Sequence, residues 1–192
     1  MTPIEVGITG GIGSGKTIVS QILHTMQYPV YDTDTRAKTI MGKPAVRKAL
    51  VEAWGTSLIQ NNGEIDRAKL ASIVFNNPAE LTRLNNIVHP AVINDYQQWV
   101  QQQQSAIVFV ESAILHQSGM DRTLHHIWIV EADTETRIKR VMQRNNISRQ
   151  EVEARIATQQ QQPADHRTHT IINDNTHAVL PQIIHLLSKL LT

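Results

Sequence analysis

Residues 10 to 17, Gly10-Gly11-Ile12-Gly13-Ser14-Gly15-Lys16-Thr17, satisfy the pattern Gly-x-x-x-x-Gly-Lys-Ser/Thr and follow an apolar run from Ile4 to Thr9. Few short sequences dictate a local backbone and a ligand together, and a strand running through such a turn into a helix is one of them. The glycines let successive N–H groups turn inward around phosphate oxygens, while the N-terminus of the following helix adds partial positive charge at the same point. Lys16 is spaced to reach the β- and γ-phosphates, and the Thr17 hydroxyl to hold Mg²⁺. A bare strand-to-helix connection would not account for Lys-Thr at that offset. The expected ligand is a nucleoside triphosphate, held along Gly11, Ile12, Gly13, Ser14, Gly15, Lys16, Thr17 and Ile18.

Four further apolar runs, Pro29 to Asp32, Ala106 to Val110, Ile127 to Val130 and Thr170 to Ile172, are too short for buried helices and read as parallel strands. Helical stretches at Lys16 to Met26, Thr134 to Arg144 and Thr176 to Leu191 lie between or after them. In the last of these, Ile183, Ile184, Leu187, Leu190 and Leu191 are expected to form one apolar face. The alternation predicts an α/β fold, a doubly wound parallel five-stranded sheet with ligands at the carboxyl ends of its strands. At 192 residues the chain fits one such domain, 1–192, with a modest insertion.

That insertion falls between the second and third strands, where the periodicity is helical over Ala45 to Trp54, Asp66 to Phe75 and Ala79 to Gln104. Gly55, Asn61-Asn62-Gly63 and Asn76-Asn77-Pro78 separate these stretches. A long excursion beside a phosphate loop is either a second-substrate region, taken as 36–104, or padding. Gln101 to Gln104 reads as the end of a solvated helix. Gln159 to Gln162 leads into the polar stretch Pro163 to Arg167, so that 145–168 is either a lid over the nucleotide or a plain surface loop.

Composition narrows the partners. A formal net charge of +1 gives no broadly basic surface for nucleic acid. Without cysteine there are no disulfides or thiolate metal sites, which suits a reducing cytoplasm. No apolar run approaches a membrane span, and Met1 to Glu5 has no basic region leading into an apolar one. A cytoplasmic protein with a small-molecule substrate is expected, with no nucleic-acid, membrane or protein partner indicated.

Beyond the loop, chemistry-bearing residues cluster after the strands. Asp32-Thr33-Asp34 follows the second strand, where a carboxylate either caps a helix or accepts a proton from an attacking hydroxyl. Glu111 follows the third strand, either to hold a metal-bound water or as a carboxylate bonded to a neighbouring loop. Arg137, Arg140 and Arg144 are spaced to share a helical face, which is either a phosphate clamp centred on Arg140 or a solvated basic face. The nine histidines form no complete zinc set, and His89, before Pro90 in the insertion, is the one to follow.

Gly-Ile-Thr-Gly-Gly-Ile-Gly-Ser-Gly-Lys-Thr at 7 to 17, Asp32-Thr33-Asp34, His89-Pro90, Arg140 with Gln143-Arg144, and Ile-Ile-Asn-Asp at 171 to 174 together resemble the dephospho-coenzyme A kinase family. The resemblance runs nearly end to end. It implies transfer of the γ-phosphoryl of ATP to the 3′-hydroxyl of dephospho-coenzyme A, the last step of coenzyme A synthesis. Carried over by position, it makes Asp34 the base and part of the acceptor site. Lys16 and Arg140 become catalytic, Arg144 a nucleotide contact, Thr17 the metal ligand, and Lys38 and His89 acceptor contacts within a coenzyme A-binding insertion.

Some positions depart from the family pattern. Ala37-Lys38 stands where Ala-Arg is common, which keeps charge but loses the bidentate fork. Ala113-Ile114-Leu115 replaces Pro-Leu-Leu, the lid segment is slightly short and rich in Gln, and Arg167-Thr168 stands where Ala-Asp is usual. Two alternatives remain at this point. A kinase for a nucleoside, nucleotide or other small alcohol would use the same loop, Asp and arginines. A nucleotide-binding switch would normally carry Asn/Thr-Lys-x-Asp, a segment this sequence lacks.

Overall fold

The computed structural model describes residues 2–74, 77–159 and 163–191. The chain separates into two compact units, one formed by the residues up to Tyr31 together with those from Gln103 onward, the other by Asp32–Gln102.

The first unit is built on a five-stranded sheet in the order β2-β3-β1-β4-β5, with β1 Ile4–Thr9, β2 Val30–Asp32, β3 Ile107–Glu111, β4 His126–Glu131 and β5 Thr168–Ile172. β1 pairs in parallel with β3 and β4, and β4 with β5. Strands covered on both faces need apolar residues at nearly every position, and β3 supplies them in Ile107, Val108, Phe109 and Val110, all buried. Against one face lie α1 (Lys16–Thr25) and α8 (Val179–Leu190), whose Val19, Leu23, Ile183 and Leu187 join Val6, Ile8, Phe109, Trp128 and Ile171 in a continuous core. A smaller cluster joins α6 (Thr134–Asn145) to α7 (Arg149–Ala157) through Ile138, Val141 and Val152, with Ile12 and Ile156 packed on it.

The second unit is helical: α2 Thr33–Ile40, α3 Pro44–Trp54, α4 Arg67–Val74 and α5 Pro78–Gln101. α5 packs against α2, α3 and α4, burying Val88, Val92, Tyr96 and Val100. Asn77 caps α5 by accepting from the Ala79 and Glu80 N–H groups, and Pro78 fits the first turn because its missing N–H would have no helical partner there. Pro90 lies within α5 and removes the N–H that would have bonded the Asn86 carbonyl one turn earlier. Lys43 and Arg36 pair with Asp95 at 2.6 and 3.7 Å, and the Trp54 indole donates to Glu80 at 2.6 Å.

Most elements lie within a residue or two of their expected bounds, and the larger departures have identifiable causes. α8 starts at Val179 rather than Thr176, because the Asp174 carboxylate draws the Thr176 and His177 N–H groups into a turn. Its buried face is Ile183, Leu186, Leu187 and Leu190, whereas Ile184 and Leu191 are 51% and 65% exposed, a different phase from the one expected. α5 ends at Gln101, so the rest of the first glutamine tract is not helical. Two helices have no predicted span, α2 and α7, although α2 is the helix that the capping alternative at Asp32-Thr33-Asp34 requires. Phe75, Asn76 and residues 160–162 of the second glutamine tract lie outside the described residues.

Candidate active site

The loop after β1 takes the backbone that its glycines permit. Gly13 and Gly15 have φ of 79° and 98°, left-handed values that side chains resist. Space is closed to them as well: a Cβ at Gly13 would press on the Arg137 carbonyl oxygen, and one at Gly15 on the Asn173 amide nitrogen. α1 then begins at Lys16 with no acidic residue in its first turn, so the positive end of its dipole stands uncompensated by side chains. Thr17 and Ile18 are exposed, and the Thr17 hydroxyl makes no hydrogen bond among the described residues. Lys16 curls back to donate from Nζ to the Gly10 carbonyl at 2.9 Å.

Side chains from three later elements hold this loop. Arg140 donates from Nη1 to the carbonyls of Gly13 and Ser14 at 3.4 and 3.3 Å, and from Nη2 to Asn175 Oδ1 at 2.6 Å. Asn173, buried after β5, donates from Nδ2 to the Ser14 carbonyl at 2.8 Å. Arg137 donates from Nε to the Ile12 carbonyl at 2.9 Å, and Gln159 accepts from the Ile12 N–H at 2.9 Å. Burial lowers the pKa of the Arg137 guanidinium, which nevertheless stays charged in any physiological range. The Ser14 hydroxyl is buried, at 1% exposure of the residue, and has no hydrogen-bond partner among the described residues. Gly11, Ser14, Ile129–Asp133 and Arg137 line part of a cavity of about 650 Å³ that continues to Gln159 and Asp174.

The three arginines are therefore not equivalent. Arg137 and Arg140 both reach the phosphate loop, whereas Arg144, one turn further along α6, is exposed and donates from Nε to its neighbour Asn145 at 3.0 Å. Glu111 accepts from the hydroxyl of Ser20, on α1, at 2.6 Å. Among the described residues no group of three or more His, Asp or Glu is arranged to hold a metal ion.

The two aspartates where β2 meets α2 also part. Asp32 is the N-cap of α2: its Oδ1 accepts from the N–H groups of Asp34 and Thr35 at 2.9 and 3.1 Å, and its Oδ2 from the Thr35 hydroxyl at 2.6 Å. Asp34, in the first turn of α2, is exposed and its carboxylate has no hydrogen bond or ion pair among the described residues. Lys38 lies four residues on, on the same face of α2, while its backbone carbonyl accepts from Arg67 at 3.0 Å. His89 is half-buried on α5, and burial lowers its pKa, so it is neutral at neutral pH.

Two residues that the sequence reading passed over, Gln159 and Asn173, make direct bonds to the phosphate loop. Asn173 lies inside the Ile-Ile-Asn-Asp run already singled out at 171 to 174, so its place after the last strand was a usable signal. Gln159 was hidden in a low-complexity tract.

No helix among the described residues is long and apolar enough to cross a membrane. The family model described as dephospho-CoA kinase matches residues 4–180. A dephospho-CoA kinase from Porphyromonas gingivalis is 36% identical over 193 residues, spanning 98% of this chain and 95% of that protein. Among solved structures, TT1252 from Thermus thermophilus has a TM-score of 0.81 at 31% identity and covers 100% of this chain and 97% of its own. A dephospho-CoA kinase from Campylobacter jejuni has a TM-score of 0.67 at 25% identity and covers 97% and 96%. Neither a kinase for another small alcohol nor a nucleotide switch is favoured by these matches. Matched over residues 4–180 and 36% identical to a relative along nearly its whole length, the chain belongs to the dephospho-CoA kinase family.

Proposed function

We infer that this chain carries out the reaction of its family, transferring the γ-phosphoryl of ATP to the 3′-hydroxyl of dephospho-CoA to give CoA and ADP. The observation that carries the reading is the phosphate loop itself. Its left-handed glycines bend the chain after β1 into a turn that runs straight into the N-terminus of α1, a backbone that phosphate can approach closely. The N–H groups at the start of α1 hold the phosphates, and Lys16 exchanges the Gly10 carbonyl for β- and γ-phosphate oxygens.

Asp34 takes the proton of the attacking hydroxyl. Its unengaged carboxylate supports that role, since both oxygens of Asp32 are committed to the cap. Arg140 is assigned to charge that develops on the transferred group, and Arg144 to the nucleotide, because guanidinium forks match phosphate oxygens. The helical segment 36–104, with Lys38 and His89, is the acceptor-binding region, and 145–168 the lid. The Thr17 hydroxyl is a hard oxygen donor of the kind Mg²⁺ takes. When bound, the ion would neutralise charge on the β- and γ-phosphoryl oxygens. The compartment assigned is the cytoplasm.

Mass analysis of the product formed from ATP, Mg²⁺ and dephospho-CoA tests the reading. The expected result is dephospho-CoA heavier by one phosphoryl group, with ADP formed only when the acceptor is present. ADP formation that does not depend on dephospho-CoA, or phosphorylation of AMP in its place, would overturn it.

A further inference from the structure

Ile12, the residue at the outer bend of the phosphate loop, is held at every group it has. Its side chain packs on the small apolar cluster of α6 and α7 formed by Ile138, Val141 and Val152. Its carbonyl accepts from Arg137 Nε at 2.9 Å, and its N–H donates to Gln159 Oε1 at 2.9 Å. The ring closes, because Arg137 Nη2 also donates to Gln159 Oε1 at 2.8 Å. One amide oxygen thus accepts two hydrogen bonds, one from the loop and one from the arginine that holds the loop. Both ends of the Ile12 peptide are fixed by side chains from the segment that follows β4.

We propose that Gln159 is a positioning residue for phosphoryl transfer, its amide oxygen locking the phosphate loop to the α6–α7 hairpin through Ile12 and Arg137. The bond geometry says which property of Gln159 matters. Both bonds use its Oε1 as acceptor and neither uses its amide N–H₂. A carboxylate at this position would accept the same pair, with a charge that Arg137 complements. A methionine would fill the same volume and accept neither bond effectively. Losing the acceptor leaves the Ile12 N–H and one Arg137 N–H without partners in a part-buried setting, and the loop is then free to leave the shape that its N–H groups need for phosphate. The effect should fall on ATP and not on the acceptor. Gln159 comes just after α7, so α6 and α7 with their connection would be expected to move with the loop as one block.

The proposal rests on the kinase reading for its activity readout, and Gln159→Met compared with Gln159→Glu separates the two. Gln159→Met should raise the KM for ATP, and weaken ATP binding by calorimetry, about tenfold or more, as expected for a stranded part-buried donor pair. The KM for dephospho-CoA should stay unchanged, and Gln159→Glu should remain within about threefold of wild type, a difference under 1 kcal/mol. Amide exchange at Ile12 gives a readout independent of turnover: protection in the wild type and in Gln159→Glu, lost in Gln159→Met. Wild-type ATP kinetics in Gln159→Met, equal damage in the Met and Glu variants, or an unprotected Ile12 amide in the wild type would each overturn the proposal. Should Gln159→Met not fold, the wild-type exchange rate and the Glu variant still decide. A wild-type protein that binds ATP but does not phosphorylate dephospho-CoA would defeat the kinase reading while leaving the clamp testable by binding and exchange.

Discussion

Gly13 and Gly15 have almost no freedom in their choice of side chain, because φ is left-handed at both and the volume a Cβ needs is already taken by Arg137 and Asn173. Asp34, Lys38 and His89 stand instead on ordinary helices, α2 and α5, whose backbones would tolerate many residues at those positions. On the proposed reading the phosphate side works through backbone shape, and the helical unit through individual side chains on a generic frame. A motif can be read wherever backbone geometry restricts the alphabet, and side chains on a permissive helix leave a fainter trace.

The largest expected break in this comparison is Lys16→Ala. It leaves the glycine turn and α1 in place but removes the charge assigned to the β- and γ-phosphates, so turnover should fall at least about a thousandfold, the scale of losing a main electrostatic contact to the transition state. Circular dichroism should be unchanged. Near-native turnover would mean the loop is not the phosphate site.

Asp34→Asn and Asp32→Asn sharpen the other side of the comparison. Asp34→Asn should lower kcat by about a hundredfold with ATP affinity nearly constant, the low part of the range for general-base catalysis because a loose transition state needs little base assistance. Asp32→Asn keeps a side-chain acceptor and should leave kcat nearly untouched, while Asp32→Ala should cost ~1 kcal/mol of stability through the lost cap of α2. Single-turnover rates and thermal melts on the variants check this. Normal kcat in Asp34→Asn with a loss in Asp32→Asn would reverse the two roles.

The smallest expected effect concerns acid. His126 on β4 and His169 on β5 lie with ring centroids 5.8 Å apart, and Nδ1 of His126 is buried without a hydrogen-bond partner among the described residues. Burial lowers the pKa of both, aided at His126 by the charges of His169 and His125 and at His169 by Lys189. Below about pH 6.5, the ordinary histidine value, the unfolded chain binds protons that the folded sheet unit refuses, so stability is full above that pH and falls as the solution is acidified toward the lowered folded values. The helical unit carries a similarly lowered histidine in His89, without a histidine neighbour acting on it. Melting temperatures between pH 7 and 5 should fall, and less steeply in His126→Gln than in the wild type. Equal slopes would mean that His126 is not among the groups responsible.

Legibility followed local chemistry. β1 is read from the sequence at its observed bounds, Ile4–Thr9, because an apolar run meets a glycine turn there. α2, with Thr33, Thr35 and Thr39 in eight residues, has little helical periodicity, and it forms on the Asp32 cap with Ile40 buried. α7 carries a capping box, Ser148 with Glu151, in the sequence itself, but its single buried residue, Val152, gives it no apolar stripe to notice. In α8 the surplus of apolar residues allowed two phases, and packing against the sheet selected the one with Leu186 in and Ile184 out.

By itself the sequence determined the phosphate loop, the alternation of strand and helix, and the family, because each depends on residue types at short fixed spacings whose physics is local. Only the tertiary structure decided which two of three arginines on one helix reach the loop, which of the two aspartates in Asp32-Thr33-Asp34 spends its carboxylate on a cap, and that Gln159 and Asn173 grip the loop at Ile12 and Ser14. Those outcomes depend on contacts between residues more than a hundred positions apart, or on which lone pairs a folded backbone has already used, and neither is encoded in spacing along the chain.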